Sequence, residues 1–242
     1  GITWKRVFPP FSRCAGGNAD NNGDYERATD PWVSFSPNGV AHQMALSFDD
    51  AITPGKPASA MLASRSTDGG RTWSKSIVLV ADTEERFNDK NTMTADPTDS
   101  RYVYAVWDRL SFVPGEGAGP LLFARSTDNG LGWEPTRIVF DPGENAQTIG
   151  ARIEVLPGGR LVNMFTLIDF VTQALSIQVI LSDDKGATWS APVKVADLLT
   201  VGITDPETGA PVRDGGILPQ LAISRRGTVT IVHRADSLGK LL

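Results

Sequence analysis

An all-β fold made of repeated four-stranded units is predicted by three features of this 242-residue sequence. The string Ser-x-Asp-x-Gly-x-x-Trp occurs in SRSTDGGRTWS, in ARSTDNGLGWE and in LSDDKGATWSA. Its serines, Ser66, Ser126 and Ser182, are separated by 60 and 56 residues. Between the copies, short runs of alternating apolar and polar residues are punctuated by Gly, Pro, Asn and Asp, and helical periodicity is absent. Four short strands per repeat at such a period are the pattern of a β-propeller with four-stranded antiparallel blades.

The elements follow in order. The opening run ITWKRVF reads as an outer strand for a neighbouring blade, so residues 1–30 are expected to hold that strand and a loop. Blade one, residues 31–82, begins DPWVSFSPNGVAHQMALSFDD, two alternating runs around a turn at Pro37 to Gly39. Blade two, residues 91–141, repeats the hairpin as TMTADPTDSRYVYAVWDR with its turn at Asp96 to Asp99. Blade three, residues 149–197, repeats it as ARIEVLPGGRLVNMFTLID with its turn at Pro157 to Gly159. A third strand leads into each box (SAMLASRS, LLFARS, LSIQVILS) and a fourth leaves it (SKSIVLVAD, PTRIVFD, APVKVAD). A fourth unit, residues 217–242, shows a first hairpin, ILPQLAISRRGTVTIVHRAD, turning at Arg226-Gly227. The chain therefore reads as a single, partial propeller of about three and a half blades.

Within each box the residue types are those a tight turn demands. Gly70, Gly130 and Gly186 tolerate positive φ, and Asp68, Asp128 and Asp184 can accept hydrogen bonds from turn amides. Trp73, Trp133 and Trp189 follow at a constant offset as apolar plugs. One active site does not need three equivalent copies around a ring, so the boxes are read as a folding device.

Composition narrows the function classes. Hydrophobic residues make up 40% of the chain and charged residues 21%, which suits a globular protein with a large core. A formal net charge of -5 with scattered Lys and Arg argues against nucleic acid. The single cysteine, Cys14, cannot form an internal disulfide. No run approaches the roughly 18 apolar residues of a membrane-spanning helix, and no charged-then-apolar opening of a secretory signal is seen in this chain.

The box motif is similar to the Asp-box, or bacterial neuraminidase repeat, at all four positions in all three copies, and over residues 31–236 the chain resembles the sialidase superfamily. The resemblance implies a six-bladed propeller, a secreted or extracellular location, a carbohydrate partner such as sialic acid or another acidic sugar, and no cofactor. It leaves two activities open: exo-sialidase-type glycoside hydrolysis, and non-catalytic binding of carbohydrate or protein. Exo-sialidases set three arginines against the substrate carboxylate, with a Tyr nucleophile paired with a Glu and an Asp acid/base. Carried over, this implies Arg6 in KRVFPP as the nearest string to the first arginine, Asp49 and Asp50 as acid/base candidates, and Arg234 in TVTIVHRAD as the second arginine. The stretch GARIEVLPGGRLVNMF is similar to a third-blade pattern of the family, with Arg160 in its turn. The nucleophile and last arginine belong to later blades. Tyr102 and Tyr104 read as packing residues, and Tyr25 falls in a loop.

Other groupings remain. The ends of the second strands carry Asp49-Asp50, Asp108-Arg109, Asp169 and Arg234-Asp236, expected either to ring one end of the channel, with Arg109 as a further substrate ligand, or to be solvated and paired with one another. The run NADNNGDYE alternates oxygen-bearing side chains but does not fit a calcium-loop spacing, so an Asx-rich loop is expected. His42 and His233 lie in strand patterns with no zinc-ligand spacing, and no metal is expected. Open strand edges predict self-association or a second chain that completes the ring.

Overall fold

The computed structural model describes residues 3–50, 57–199, 202–213 and 215–234. Three four-stranded antiparallel sheets follow one another along the chain. The first holds β1 (Arg27–Phe35), β2 (Ala41–Phe48), β3 (Ser59–Ser66) and β4 (Ile77–Asp82) in that order. The second holds β5 (Arg86–Ala95), β6 (Val103–Ser111), β7 (Leu121–Ser126) and β8 (Arg137–Phe140). The third holds β9 (Ala146–Val155), β10 (Leu161–Asp169), β11 (Leu175–Ser182) and β12 (Val193–Asp197). Two hairpins follow, β13 (Ile203–Thr204) with β14 (Pro211–Val212), and β15 (Gln220–Ile223) with β16 (Val229–Val232). The all-β, four-stranded blade architecture is the one the sequence predicts, and the described residues do not close a ring. The β13–β14 hairpin has no counterpart in the predicted elements.

Strand alternation decides which face meets which blade. On β6, Val103, Ala105 and Trp107 bury against blade one beside Met44, Leu46 and Met61. The intervening Tyr104 and Val106 bury against blade three with Ile153, Leu161 and Phe165. A blade covered on both sides needs both faces apolar, which is why VYAVW is a continuous apolar run. Each fully buried Val, Leu, Ile, Phe or Met side chain of these clusters contributes about 1.5–3 kcal/mol. Val162, Met164 and Ile177 on the far face of blade three meet Leu221 of the last hairpin.

The N-terminal run forms no strand among the described residues, against expectation. Pro9 and Pro10 lack the amide that a ladder requires. Residues 10–26 instead form two short 3-10 turns, Arg13–Ala15 and Ala19–Asn21, and lie on the face of blade one turned away from blade two. Phe11 and Tyr25 pack there on Ala45, Ala60 and Leu62. Ser47 Oγ donates to the Phe11 carbonyl at 2.7 Å and Ser76 Oγ to that of Pro10 at 3.1 Å. Tyr25 is thus a packing residue. Asn18 caps the second turn by accepting from the amides of Asp20 and Asn21, the local Asx structure expected of this run.

The inner strands begin at Arg27, Arg86 and Ala146, three to five residues before the predicted blade starts at 31, 91 and 149. Each is interrupted by a bulge whose backbone is left-handed: Asp30 (φ 50°), Lys90 (φ 47°) and Gly150 (φ 69°). The strand registers shift at the same places, between Thr29 and Trp32 and between Asp89 and Thr92. A bulge breaks the two-residue alternation, so the strand appears to start after it.

The three boxes fold alike. Each serine Oγ donates to its aspartate Oδ1 at 2.8 Å. The Gly70, Gly130 and Gly186 amides donate to the serines at 2.8–2.9 Å. Asp68, Asp128 and Asp184 accept in turn from the amides of Thr72, Gly132 and Thr188 at 2.8–2.9 Å. The Thr188 hydroxyl, then its amide, hold the Asp184 carboxyl down at about 2. Trp133 packs on the core between blades one and two, and Trp189 on that between blades two and three, edge-on to Phe123 at 5.3 Å.

The third residue after each box serine is left-handed, and two of these three key the box to the preceding blade. Asn129 Oδ1 accepts from Ser36 Oγ at 3.2 Å, and Lys185 Nζ donates to the buried Asp96 at 2.7 Å. In the first box the position is Gly69, which has no side chain to reach with. The approach is close: a Cβ on Gly130 would lie 2.8 Å from His42 Nδ1, and one on Gly186 2.6 Å from Phe123 Cζ.

Candidate functional site

Because the first strand of each blade is innermost, β1, β5, β9 and the start of β15 converge on the propeller axis. Their bulges open a cavity of about 250 Å³ lined by Asp30, Trp32, Lys90, Asn91, Arg152 and Gln220, among others. Asn91 Nδ2 donates to the Asp30 carbonyl at 3.0 Å, joining the first two bulges. Lys90 Nζ lies 3.0 Å from Asp89 Oδ1 and 3.7 Å from Asp30 Oδ2. Burial alone would lower the Lys90 pKa, but the carboxylates facing it, Asp89 first and then Asp30, outweigh it and leave it raised, so this lysine is a cation. The Arg152 guanidinium stacks over Trp32 with its carbon 5.2 Å from the ring centre. Arg152 Nη1 donates to Gln220 Oε1 at 2.8 Å and its Nε to Glu154 Oε1 at 3.2 Å. Two cations, an indole, two amides and a carboxylate in one recess can present both polar and flat apolar surface to a ligand.

The strand-end charges do not converge there, which corrects the channel-ring expectation. They terminate second strands, one position out from the axis, and Asp49, Asp50, Arg109 and Asp169 each find a partner elsewhere. Asp49 Oδ1 accepts from Arg13 Nη2 and from the Glu26 amide, both at 2.7 Å. It lines a separate recess of about 530 Å³ with Asp24, Tyr25 and Glu26, on the face of blade one that carries the N-terminal segment. Asp50 pairs with Arg27 at 2.7 Å. Arg109 Nε stands 3.0 Å from Asp82 Oδ2, and burial lowers the arginine's pKa against the pull of that carboxylate. Asp108 is fully buried. Asp169 accepts from the amides of Val171 and Thr172 in its own turn. Arg6 is exposed in the N-terminal segment, and Arg234 is half-buried just past β16. Asp236 lies outside the described residues.

Tyr102 and Tyr104 stack at 6.2 Å between blades two and three, and Tyr104 donates to Asp96 Oδ2 at 2.9 Å. Among the described residues, no three His, Cys, Asp or Glu side chains gather as metal ligands. No helix among them is long and apolar enough to cross a membrane. The axial residues Trp32, Lys90, Asn91 and Arg152 were not singled out by sequence reasoning. The signal that could have found them is the 60-residue spacing of Asp30, Lys90 and Gly150 at breaks in strand alternation.

No family model matches the chain. A sialidase from Micromonospora viridifaciens is 28% identical over 214 residues, covering 78% of this chain and 31% of that protein. The chain thus spans about a third of the length of this curated relative. Among solved structures, the intramolecular trans-sialidase from Ruminococcus gnavus superposes with a TM-score of 0.60 at 13% identity, covering 86% of this chain and 65% of that one. The alpha-L-arabinanase of Penicillium chrysogenum superposes with a TM-score of 0.63 at 13% identity, covering 88% of this chain and 60% of that one. With its repeated boxes and four-stranded blades, the chain has the β-propeller fold of these glycosidases and is similar in sequence to a sialidase.

Proposed function

We propose that this chain is part of a carbohydrate-acting propeller that holds a sugar at the axial cavity, and that it hydrolyses an exo-sialidase-type glycoside when further blades supply the nucleophile. The observation that carries this reading is the convergence of the inner strands on one polar recess with Lys90, Arg152 and the Trp32 ring. Lys90 and Arg152 offer charge-assisted donors to a carboxylate or to vicinal hydroxyls. Arg234 is the further carboxylate ligand that the family resemblance suggests. Asp49 and Asp50 are the acid/base candidates that the family resemblance suggests; both stand outside the axial cavity, Asp49 in the separate recess with Arg13 as its partner.

Calorimetric titration of the chain with sialyllactose and with arabinobiose tests this reading. Binding is expected, weakened at least about tenfold by Arg152→Ala or Lys90→Ala, the loss of one charge-assisted contact. Turnover of an aryl sialoside by this chain alone is expected to be absent or barely above background. Robust turnover would overturn the incompleteness of the catalytic set, and binding unchanged in both axial variants would overturn the site. Sialyllactose binding that survives Arg234→Ala would remove that arginine from it.

A second reading, a binding module for a neutral sugar, is favoured by one observation. Arg13, Arg27 and Arg109 each already face a carboxylate, so these guanidinium groups do not gather into a clamp. Selective binding of arabinobiose would choose it.

A further inference from the structure

Three left-handed residues shape the wall of the axial cavity, Asp30, Lys90 and Gly150, and one buried carboxyl stands near the last two. Asp108 on β6 is 0% exposed and stands directly opposite Asp89 of β5 in the strand register. Its Oδ1 accepts from the Gly150 amide of the next blade at 3.2 Å, and its Oδ2 is buried without a partner. Asp89 Oδ1 in turn accepts from the Lys90 amide at 2.8 Å and from its Nζ at 3.0 Å. Neither aspartate lines the cavity, so both stand behind its wall.

We propose that Asp108 is a positioning residue for the axial cavity, tying the Gly150 bulge of blade three to the Asp89-Lys90 bulge of blade two. A buried polar atom left without a partner is costly, by roughly the desolvation of the group, and is retained where the position does something else. The charged groups facing Asp108 are Asp89 and Lys90 on β5, with Asp30 of β1 beyond Lys90. β9 contributes the Gly150 amide, and β7 contributes Leu121. Arg109, the next residue, pairs with Asp82 of blade one instead. Burial first, then Asp89, push Asp108 well above the usual carboxylate range, which favours the neutral acid. Ionisation would set a second carboxylate against Asp89 and compete for Lys90, so the cavity wall responds to the proton on Asp108. This inference does not depend on the sugar reading.

The test is nuclear magnetic resonance of the full chain, following the Asp108 carboxyl carbon and the Gly150 and Lys90 amides against pH. In the parent, both amides are expected to shift with the midpoint of the Asp108 carboxyl. In Asp108→Asn, which keeps an acceptor for Gly150, they are expected to sit near their low-pH positions and not to titrate. Melting curves supply a second measurement should assignment fail. A carboxyl with a raised folded pKa confers stability that is present below the unfolded pKa and lost as pH rises through the folded one. The melting advantage of Asp108→Asn over the parent must therefore grow with pH. Amides that titrate identically in parent and variant, or a melting difference that does not change with pH, would overturn the proposal.

Discussion

His42 on β2 is 1% exposed at the contact between blades one and two, with Nε2 2.9 Å from Ser36 Oγ. Burial, then the nearby Arg65, push its pKa down to about 4. A histidine with a depressed folded pKa is stabilised as the neutral ring, so its contribution is fully present above the unfolded pKa of about 6.5 and is lost as pH falls through about 4. The window corresponds to on the order of 3 kcal/mol. Urea unfolding at pH 7 and pH 4.5 should show the parent losing roughly 2–3 kcal/mol more than His42→Gln. Equal losses would show that the ring does not stay neutral. At this scale, residue types were legible and partners were not. The family resemblance marks Asp49 and Asp50 as acid/base candidates, but the bonds of Asp49 to Arg13 and the Glu26 amide depend on where the N-terminal segment docks. Nothing local in the sequence states that.

A blade element is most legible where its geometry is local. The box hydrogen bonds span two to four residues, so Ser, Asp, Gly and Trp at fixed offsets were enough to foresee the turns. Asp128→Ala removes the acceptor for the Gly132 amide at an exposed turn and is expected to cost about 1 kcal/mol. Trp133→Ala, at a half-buried ring against the interblade core, should cost roughly 2–3 kcal/mol, below the range of a fully buried aromatic. Chemical denaturation measures both, and parental midpoints in the two variants would refute a structural role for the box. Lys185→Ala leaves the buried Asp96 carboxylate with only its turn donors and Tyr104. It should destabilise by about 2–3 kcal/mol, less than breaking a fully buried pair because the lysine is partly exposed. The bulges were illegible for the opposite reason. Left-handed Asp30 and Lys90 are positions where a non-glycine residue carries strain that only the assembled axis sustains.

For the whole molecule, blade count and order were readable from the repeat, whereas the axial cavity was not, because four segments some 60 residues apart must meet to make it. The described arc exposes Val33 and Phe35 on its first inner strand and Val193 and Val195 on its last complete outer one. Such apolar edges associate. Light scattering over a concentration series is expected to report a mass above that of one chain, and a clean monomer at high concentration would refute this. The side-chain keys between boxes and preceding blades also set what rearrangements the chain tolerates. Because each key points backward along the sequence and the first box carries Gly69 instead, the seam in front of blade one is the place where new termini cost no key. A circular permutant opened between blades one and two or between two and three would have to re-form Ser36–Asn129 or Asp96–Lys185 between chain ends. Duplicating the unit from β5 to β8 in tandem would set the copied Asn129 against Asp96 in place of Ser36, so the new seam would place an amide, and not the Lys185 ammonium, at a buried carboxylate.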